Sequence, residues 1–191
     1  MFVDVIEAPL DDFWPGVFAM GVGGDLRPPP GTPGLVDWRT AGALSAMIKS
    51  GQLTAESGEQ ALLWSDKRKS KIYLFGLGKR IPAQADIIRK AAAQAISVLT
   101  KAAEKSVVLI PDPFLTGAGG QGAEGPFLEG VVAACKNFGP ACKDFRVVIP
   151  AMGAESQAIH EGFRKAILRL GHEAESVTIN YITAKQFALQ P

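Results

Sequence analysis

The sequence predicts an α/β protein built on a mixed, largely parallel sheet covered by helices, and three observations point there. Short β-rich runs alternate with stretches of helical periodicity along the chain. One run, Val107 to Ile110, is wholly apolar, as expected of a central strand buried on both faces. The 191 residues, 47% of them hydrophobic, suffice for one sizeable core, so residues 1–191 are expected to form a single domain.

Phe2 to Ile6 and Val17 to Val22 read as the first two strands, with Pro9 and Pro15 breaking the chain between them. The segment RPPPGTPG, Arg27 to Gly34, is expected to be an extended loop, because each proline fixes its own backbone and restrains the residue before it. A helix should follow, with Trp38, Ala41, Leu44 and Ile48 at helical spacing and Gly51 as its C-terminal cap. Glu59 to Trp64 and Lys71 to Phe75, joined by SDKRKS, have the pattern of a hairpin. From about Ala83 to Lys105 the spacing predicts a helix burying Ile88, Ala91, Ala95, Val98 or Leu99, and Ala102, and turning Arg89, Lys90, Lys101 and Lys105 largely elsewhere. Ser106 to Ile110 is the next strand, and a glycine-rich segment, Thr116 to Gly125, follows it. A helix from about Pro126 to Phe138, a strand at Arg146 to Ile149, a helix carrying Ile159, Phe163, Ile167 and Leu170, and a strand near Val177 to Ile182 complete the pattern.

Three glycine motifs stand beyond apolar runs. Gly76-Leu77-Gly78-Lys79 ends a strand ahead of a helix, where free amides and the helix dipole can hold an anion. It lacks the Gly-Lys-Ser/Thr ending of a P-loop, since Arg80 follows Lys79, and Pro82 delays the helix; a tight turn is the competing reading. Gly117-Ala118-Gly119-Gly120-Gln121-Gly122 spells G-x-G-x-x-G, but Pro111, Pro113 and Thr116 separate it from its strand and no acidic residue ends the following one. A flexible connection is the alternative there. Gly21-Val22-Gly23-Gly24-Asp25 closes the second strand. If the strands are parallel, their C-terminal ends bring these loops to one crevice, where open sheets bind ligands. The candidate ligand-binding residues are therefore Gly23, Gly24, Asp25, Gly76, Gly78, Lys79, Gly117, Gly119, Gly120 and Gly122.

No catalytic residue, metal ligand or cofactor is expected: H-E-x-x-H, G-x-S-x-G and clustered Asp, Glu and Lys sets are missing. His160 and His172 read as exposed, and Asp11, Asp12 and Asp112 as turn or cap residues. Two cysteines, Cys135 and Cys142, without a C-x-x-C pair suggest small apolar roles. No apolar run approaches the roughly 20 residues of a membrane span, and the acids of MFVDVIEAPLDDFW are unlike a secretory signal, so a cytoplasmic location is expected. Net charge is +1 but uneven. Residues 1–65 carry 3 basic and 8 acidic side chains, 66–105 carry 10 and 3, and 106–191 carry 7 and 8. The basic stretch could gather an anion or nucleic acid, against which stand the near-neutral total and the lack of an aromatic–basic interleave.

The stretches GLVDWRTAGALSAMIKSGQLTAESGEQALL, KIYLFGLGKR, IIRKAAAQAISVL and FLEGVVAACKNFGPACKDF resemble the N-terminal domain of the leucyl (cytosol) aminopeptidase family over about Asp37 to Phe145. The family's features fall on Asp37, Gly51, Gly58-Glu59, Gly76 to Lys79, Glu129-Gly130 and Phe138, with departures at Thr54-Ala55 and Lys136. The resemblance implies a macro-domain-like α/β/α sandwich similar to domains that bind ADP-ribose. It also implies a domain that helps shape a hexamer in the full-length enzymes and contributes to DNA binding in some bacterial ones. The family's two-metal catalytic half and its Asn-Thr-Asp-Ala-Glu-Gly-Arg signature have no counterpart in these residues, so peptidase activity is not expected from them. The leading expectation is a non-catalytic binding or assembly module, pairing with itself as a homo-oligomer or with another protein. The alternative is a macro-like binder of ADP-ribose or another nucleotide, with weak hydrolase activity at most. Nucleic-acid binding through 66–105 is third, and no membrane association is expected.

Overall fold

The structure, a computed structural model, describes residues 1–23, 31–79, 84–114 and 122–187. Seven strands form one sheet: β1 (Phe2–Glu7), β2 (Val17–Gly23), β3 (Gln60–Ser65), β4 (Ser70–Gly78), β5 (Ser106–Ile110), β6 (Arg146–Ala151) and β7 (Thr178–Ile182). Their order is β3-β4-β2-β5-β6-β1-β7, and every neighbouring pair is parallel except the β3–β4 hairpin. The mixed, largely parallel sheet expected from the sequence is thus present, with the apolar β5 at its centre.

Period-two alternation sorts the strand side chains into two cores. Tyr73, Phe75 and Leu77 of β4, with Val107 and Leu109 of β5, face helices α3 (Ala85–Lys101), α5 (Glu124–Phe138) and α6 (Ala154–Leu170). Ile72 and Leu74, with Val108 and Ile110, face the other way, toward α1 (Gly31–Arg39) and α2 (Ala43–Lys49). A helical turn α4 (Pro111–Phe114) leaves the end of β5, and another, α7 (Ala184–Phe187), follows β7. The result is a three-layer α/β/α sandwich. On the α3 side, Phe75, Phe114, Phe127 and Phe163 make an aromatic chain with centroid spacings of 6.4, 6.0 and 6.1 Å.

Two local expectations are corrected. The proline-rich segment is not extended throughout, because helix α1 begins at Gly31, with Pro33 inside its first turn, where a missing N–H costs nothing. The helix expected to run from Trp38 to Gly51 is instead two, since Ala41 (φ 60°) and Gly42 (φ 80°) turn the chain to the left-handed region between them. Asp37 secures the break: its carboxylate accepts the Ser45 N–H at 2.9 Å and the Ser45 hydroxyl, and Ser45 lies in the first turn of α2. Trp38 consequently points outward, 70% exposed.

At the opposite end of the sheet from the β4–β2–β5 C-termini, Glu104 accepts from Lys71 Nζ (2.7 Å) and from the Tyr73 hydroxyl (3.0 Å). Burial, reinforced by the Glu104 carboxylate, pushes the Tyr73 phenol up to about 12. Its folded value lies above the ordinary one, so the stability it lends is complete below pH ~10 and lost as pH rises through about 12. Phenolate absorbance should show one step near pH 12 that disappears in Tyr73→Phe, and that substitution should cost about 1 kcal/mol at neutral pH in urea unfolding.

Candidate functional site

Strands β4, β2 and β5 are adjacent and parallel, so their C-terminal ends open on the same side. Gly23 of β2 lies directly opposite Gly78 of β4, past a register shift between Val22 and Gly23. From β5, the turn α4 sets the Asp112 carboxylate against the start of α1, where it accepts the Thr32 N–H at 3.3 Å. Two of the three glycine motifs therefore meet at the strand ends, at Gly23 and Gly78. Gly24, Asp25, Gly117, Gly119 and Gly120 lie outside the described residues. Gly122, the last glycine of its motif, has φ +110° and donates its N–H to Glu124 Oε2 at 3.1 Å, at the head of α5.

The corner at Gly76 to Lys79 has a specific construction. The segment entering β3 crosses the end of β4, so the Gly76 N–H donates to Glu59 O and the Gly78 N–H to Ala55 O, each at 2.9 Å. A β-carbon on Gly76 would overlap the Glu56 carbonyl oxygen, and Gly78 holds φ +81°. The crossing segment is itself pinned by Glu59, whose carboxylate accepts the Thr54 N–H at 3.0 Å and Thr54 Oγ1 at 2.7 Å. Burial pulls the Glu59 carboxyl up, but the hydrogen bonds from Thr54, Glu56 and Ala55 outweigh it and hold the group below its usual value. The amides at Gly76 and Gly78 are thus spent on protein carbonyls. Lys79, just beyond, is exposed.

Two of the cavities that lie elsewhere among the described residues have charged linings, and of the residues lining them only Gly122 was a ligand-binding candidate from the sequence. One, of 640 Å³, lies between the head of α5 and α6 and is lined by Gly122, Glu124, Gly162, Lys165 and Arg169. Glu124 is only 6% exposed there. The other, of 500 Å³, places Trp38 and Arg39 of α1 beside Lys67 and Arg68 of the β3–β4 turn. It is an aromatic–basic juxtaposition in space between segments about thirty residues apart, which no local pattern in the sequence displays. Of the other cations in the basic stretch, Lys71 is paired with Glu104, and Arg89 with Asp86 and Glu129.

Three other reactive groups, Asp4, Cys135 and His160, are held within the fold. Asp4, fully buried, is met by Arg146 and by Asn180 Nδ2 at 2.7 Å. Burial and the neighbouring Cys142 push the Cys135 thiol up to about 12, far from a reactive thiolate at neutral pH. Burial, then Arg164, lowers the His160 imidazole below its usual value, and its ring packs 5.1 Å from that of Tyr181. His172 is exposed and contacts Glu175. Among the described residues no three His, Cys, Asp or Glu side chains are grouped to hold a metal, and no helix is long and apolar enough to cross a membrane.

This architecture, with helices on both faces and strand ends opening on one side, is that of a macrodomain-like α/β/α protein. The macrodomain of Thermus aquaticus DarG superposes with a TM-score of 0.56 at 14% identity, covering 79% of this chain and 98% of that one. A Trypanosoma brucei macrodomain in complex with ADP gives 0.57 at 14% identity, with 78% and 62% covered. The sequence matches the N-terminal domain of the cytosol aminopeptidase family over residues 19–128, and the chain belongs to that family. A tomato leucine aminopeptidase mutant superposes with a TM-score of 0.57 at 12% identity over 87% of this chain and 35% of that one, so the chain spans about a third of its length. No curated protein sequence matches the chain.

The construction of the corner gives a stability test. Gly76→Ala should cost about 2–3 kcal/mol in urea unfolding, because the new methyl has to displace backbone. Gly58→Ala, at φ +91° with open space around it, should cost only about 1 kcal/mol from its backbone conformation.

Proposed function

We propose that the chain is a non-catalytic binding or assembly module of the aminopeptidase N-terminal type, holding a partner rather than hydrolysing a peptide. The observation that carries this reading is how its buried or bonded acids and its Cys135 thiol are employed. Asp4 joins β1 to β6 and β7, Asp37 caps α2, Glu59 pins the entry to β3, Glu104 ties β4 to the start of β5, and Cys135 is held as a neutral thiol. Groups committed in this way position the fold and are not poised for acid, base or nucleophilic work.

A second reading, a nucleotide or ADP-ribose ligand in the crevice, is favoured by one observation: Gly23 and Gly78 lie side by side where three parallel strands end. The likeness to a macrodomain in complex with ADP supports it. The spent amides of Gly76 and Gly78 put the burden of phosphate recognition on the Gly23–Asp25 and Gly117–Gly122 segments and on Lys79.

The purified chain, with and without added divalent metal, should release no product from aminoacyl chromogenic substrates; metal-dependent turnover would end the first reading. Titration calorimetry with ADP-ribose and ADP decides the second. Binding there should weaken about tenfold in Lys79→Glu, whose exposed position leaves the melting temperature nearly unchanged. Absence of heat at millimolar nucleotide would retire it.

A further inference from the structure

Strand β3 lies at one end of the sheet, and among the described residues its outer edge carries none of the devices that ordinarily keep such an edge single. Its six residues, Gln-Ala-Leu-Leu-Trp-Ser, include no charge, proline or glycine, and they pair with β4 in unbroken register. The direction of the free groups follows from one bond. The Gly76 N–H reaches the Glu59 carbonyl, so by alternation Ala61, Leu63 and Ser65 also turn their N–H and C=O toward β4. Gln60, Leu62 and Trp64 turn theirs outward, and none of these groups bonds to another described segment. On the α3 face of the same strand, Leu62 and Trp64 are 51% and 50% exposed, while Leu63 between them is buried in the opposite core.

We propose that β3 pairs antiparallel with β3 of a second copy of this chain, joining the two sheets into one across a two-fold axis perpendicular to them. Such an axis requires residues opposite each other to lie on the same face. A register centred on Leu63 meets that requirement and sets Leu62 against the partner's Trp64, and Trp64 against the partner's Leu62, so that the two exposed apolar pairs cover each other. It also joins the outward N–H and C=O of Leu62 to those of the partner's Trp64, the geometry of a hydrogen-bonded pair.

Charge selects a copy of this chain over an unrelated peptide. The residues leading into β3 are acidic, Glu56 and Glu59, and those leaving it are basic, Lys67, Arg68 and Lys69, none of which makes an ion pair among the described residues. The intervening acid, Asp66, accepts the Trp64 indole N–H at 2.6 Å. Antiparallel self-pairing lays the acidic entry of each strand beside the basic exit of the other, twice by symmetry.

This inference rests on the assembly half of the reading above, and the two fail separately. Peptide hydrolysis ends that reading whatever the mass, and a monomer ends this one whatever the enzymology. The experiment is sedimentation equilibrium of the full chain up to about 100 µM, at low and high salt. A dimer is expected, weakened by salt, with its dissociation constant raised at least about tenfold by Leu62→Lys. Leu62→Pro, which removes an outward N–H and spares the bonds to β4, should act in the same direction. Trp38→Lys, on the exposed side of α1, should leave the dimer intact. Circular dichroism checks that each variant is folded. A monomer at the highest concentration, or an oligomer that survives Leu62→Lys, overturns the proposal.

Discussion

The contact on which the α3 side of the molecule depends is the one between α3 and α5. Gly130 sits where α5 crosses α3, and a β-carbon there would overlap the Arg89 carbonyl oxygen and come within 2.9 Å of Ala92 Cβ. Ala91, Ala92 and Ala95 of α3 and Ala134 of α5 are buried beside it, so the two helices approach with almost no side chain between them. The Arg89–Glu129 pair closes the rim, with Nε to Oε2 at 2.6 Å. Because the helices pack this closely, their larger side chains, Ile88, Ile96 and Leu99 on one and Phe127, Leu128 and Val131 on the other, remain for the sheet beneath. The aromatic chain from Phe75 to Phe163 then continues the same layer through α4 to α6.

A helix layer set in this way buries β4, β2 and β5 on one face, while α1 and α2 bury them on the other. Strands enclosed on both sides leave only their ends for recognition, which is why the crevice at Gly23, Gly78 and Asp112 is the place to expect a small ligand. The outer strand β3 is governed differently. It lies beyond the cover of α3, and no other described segment bonds to its outer N–H and C=O groups, so the strand ends and the β3 edge are two separate surfaces of one sheet.

The element pattern was legible because β5 is apolar from Val107 to Ile110, β3 and β4 are separated by a polar turn, and the alanine-rich α3 keeps one periodic face. The break between α1 and α2 was not, since Trp38, Ala41, Leu44 and Ile48 keep perfect helical spacing across it. What decides against one helix is the left-handed pair at Ala41 and Gly42 together with the Asp37–Ser45 bonds, and a glycine at such a position reads equally well as a tolerated interior residue. The glycine corner was legible as a corner but not in its chemistry. Whether the amides of Gly76 and Gly78 are free depends on where residues 55–59 pass, and that is fixed by the β3–β4 register and by Glu59 binding Thr54, a tertiary result. The cavity joining Trp38 to Arg68 was invisible for the same reason.

The positions that mark the family, Lys79 apart, have one property in common here: each answers to a packing or backbone requirement. Asp37 caps α2, Gly76 admits the crossing strand, Gly130 admits α3, and Glu129 pairs with Arg89. One departure has been absorbed in kind, for Thr54 supplies both its N–H and its hydroxyl to Glu59, while Ala55 takes a left-handed backbone (φ 61°) and still offers its carbonyl to Gly78. The motif therefore specifies a scaffold, and retaining it requires no retained activity. What distinguishes this chain functionally has to lie at positions the scaffold leaves unconstrained. Among the described residues those include Lys79, the surface around Trp38, Lys67 and Arg68, and the outer edge of β3, which carries neither the lysine nor the proline that ordinarily keeps an edge strand from pairing.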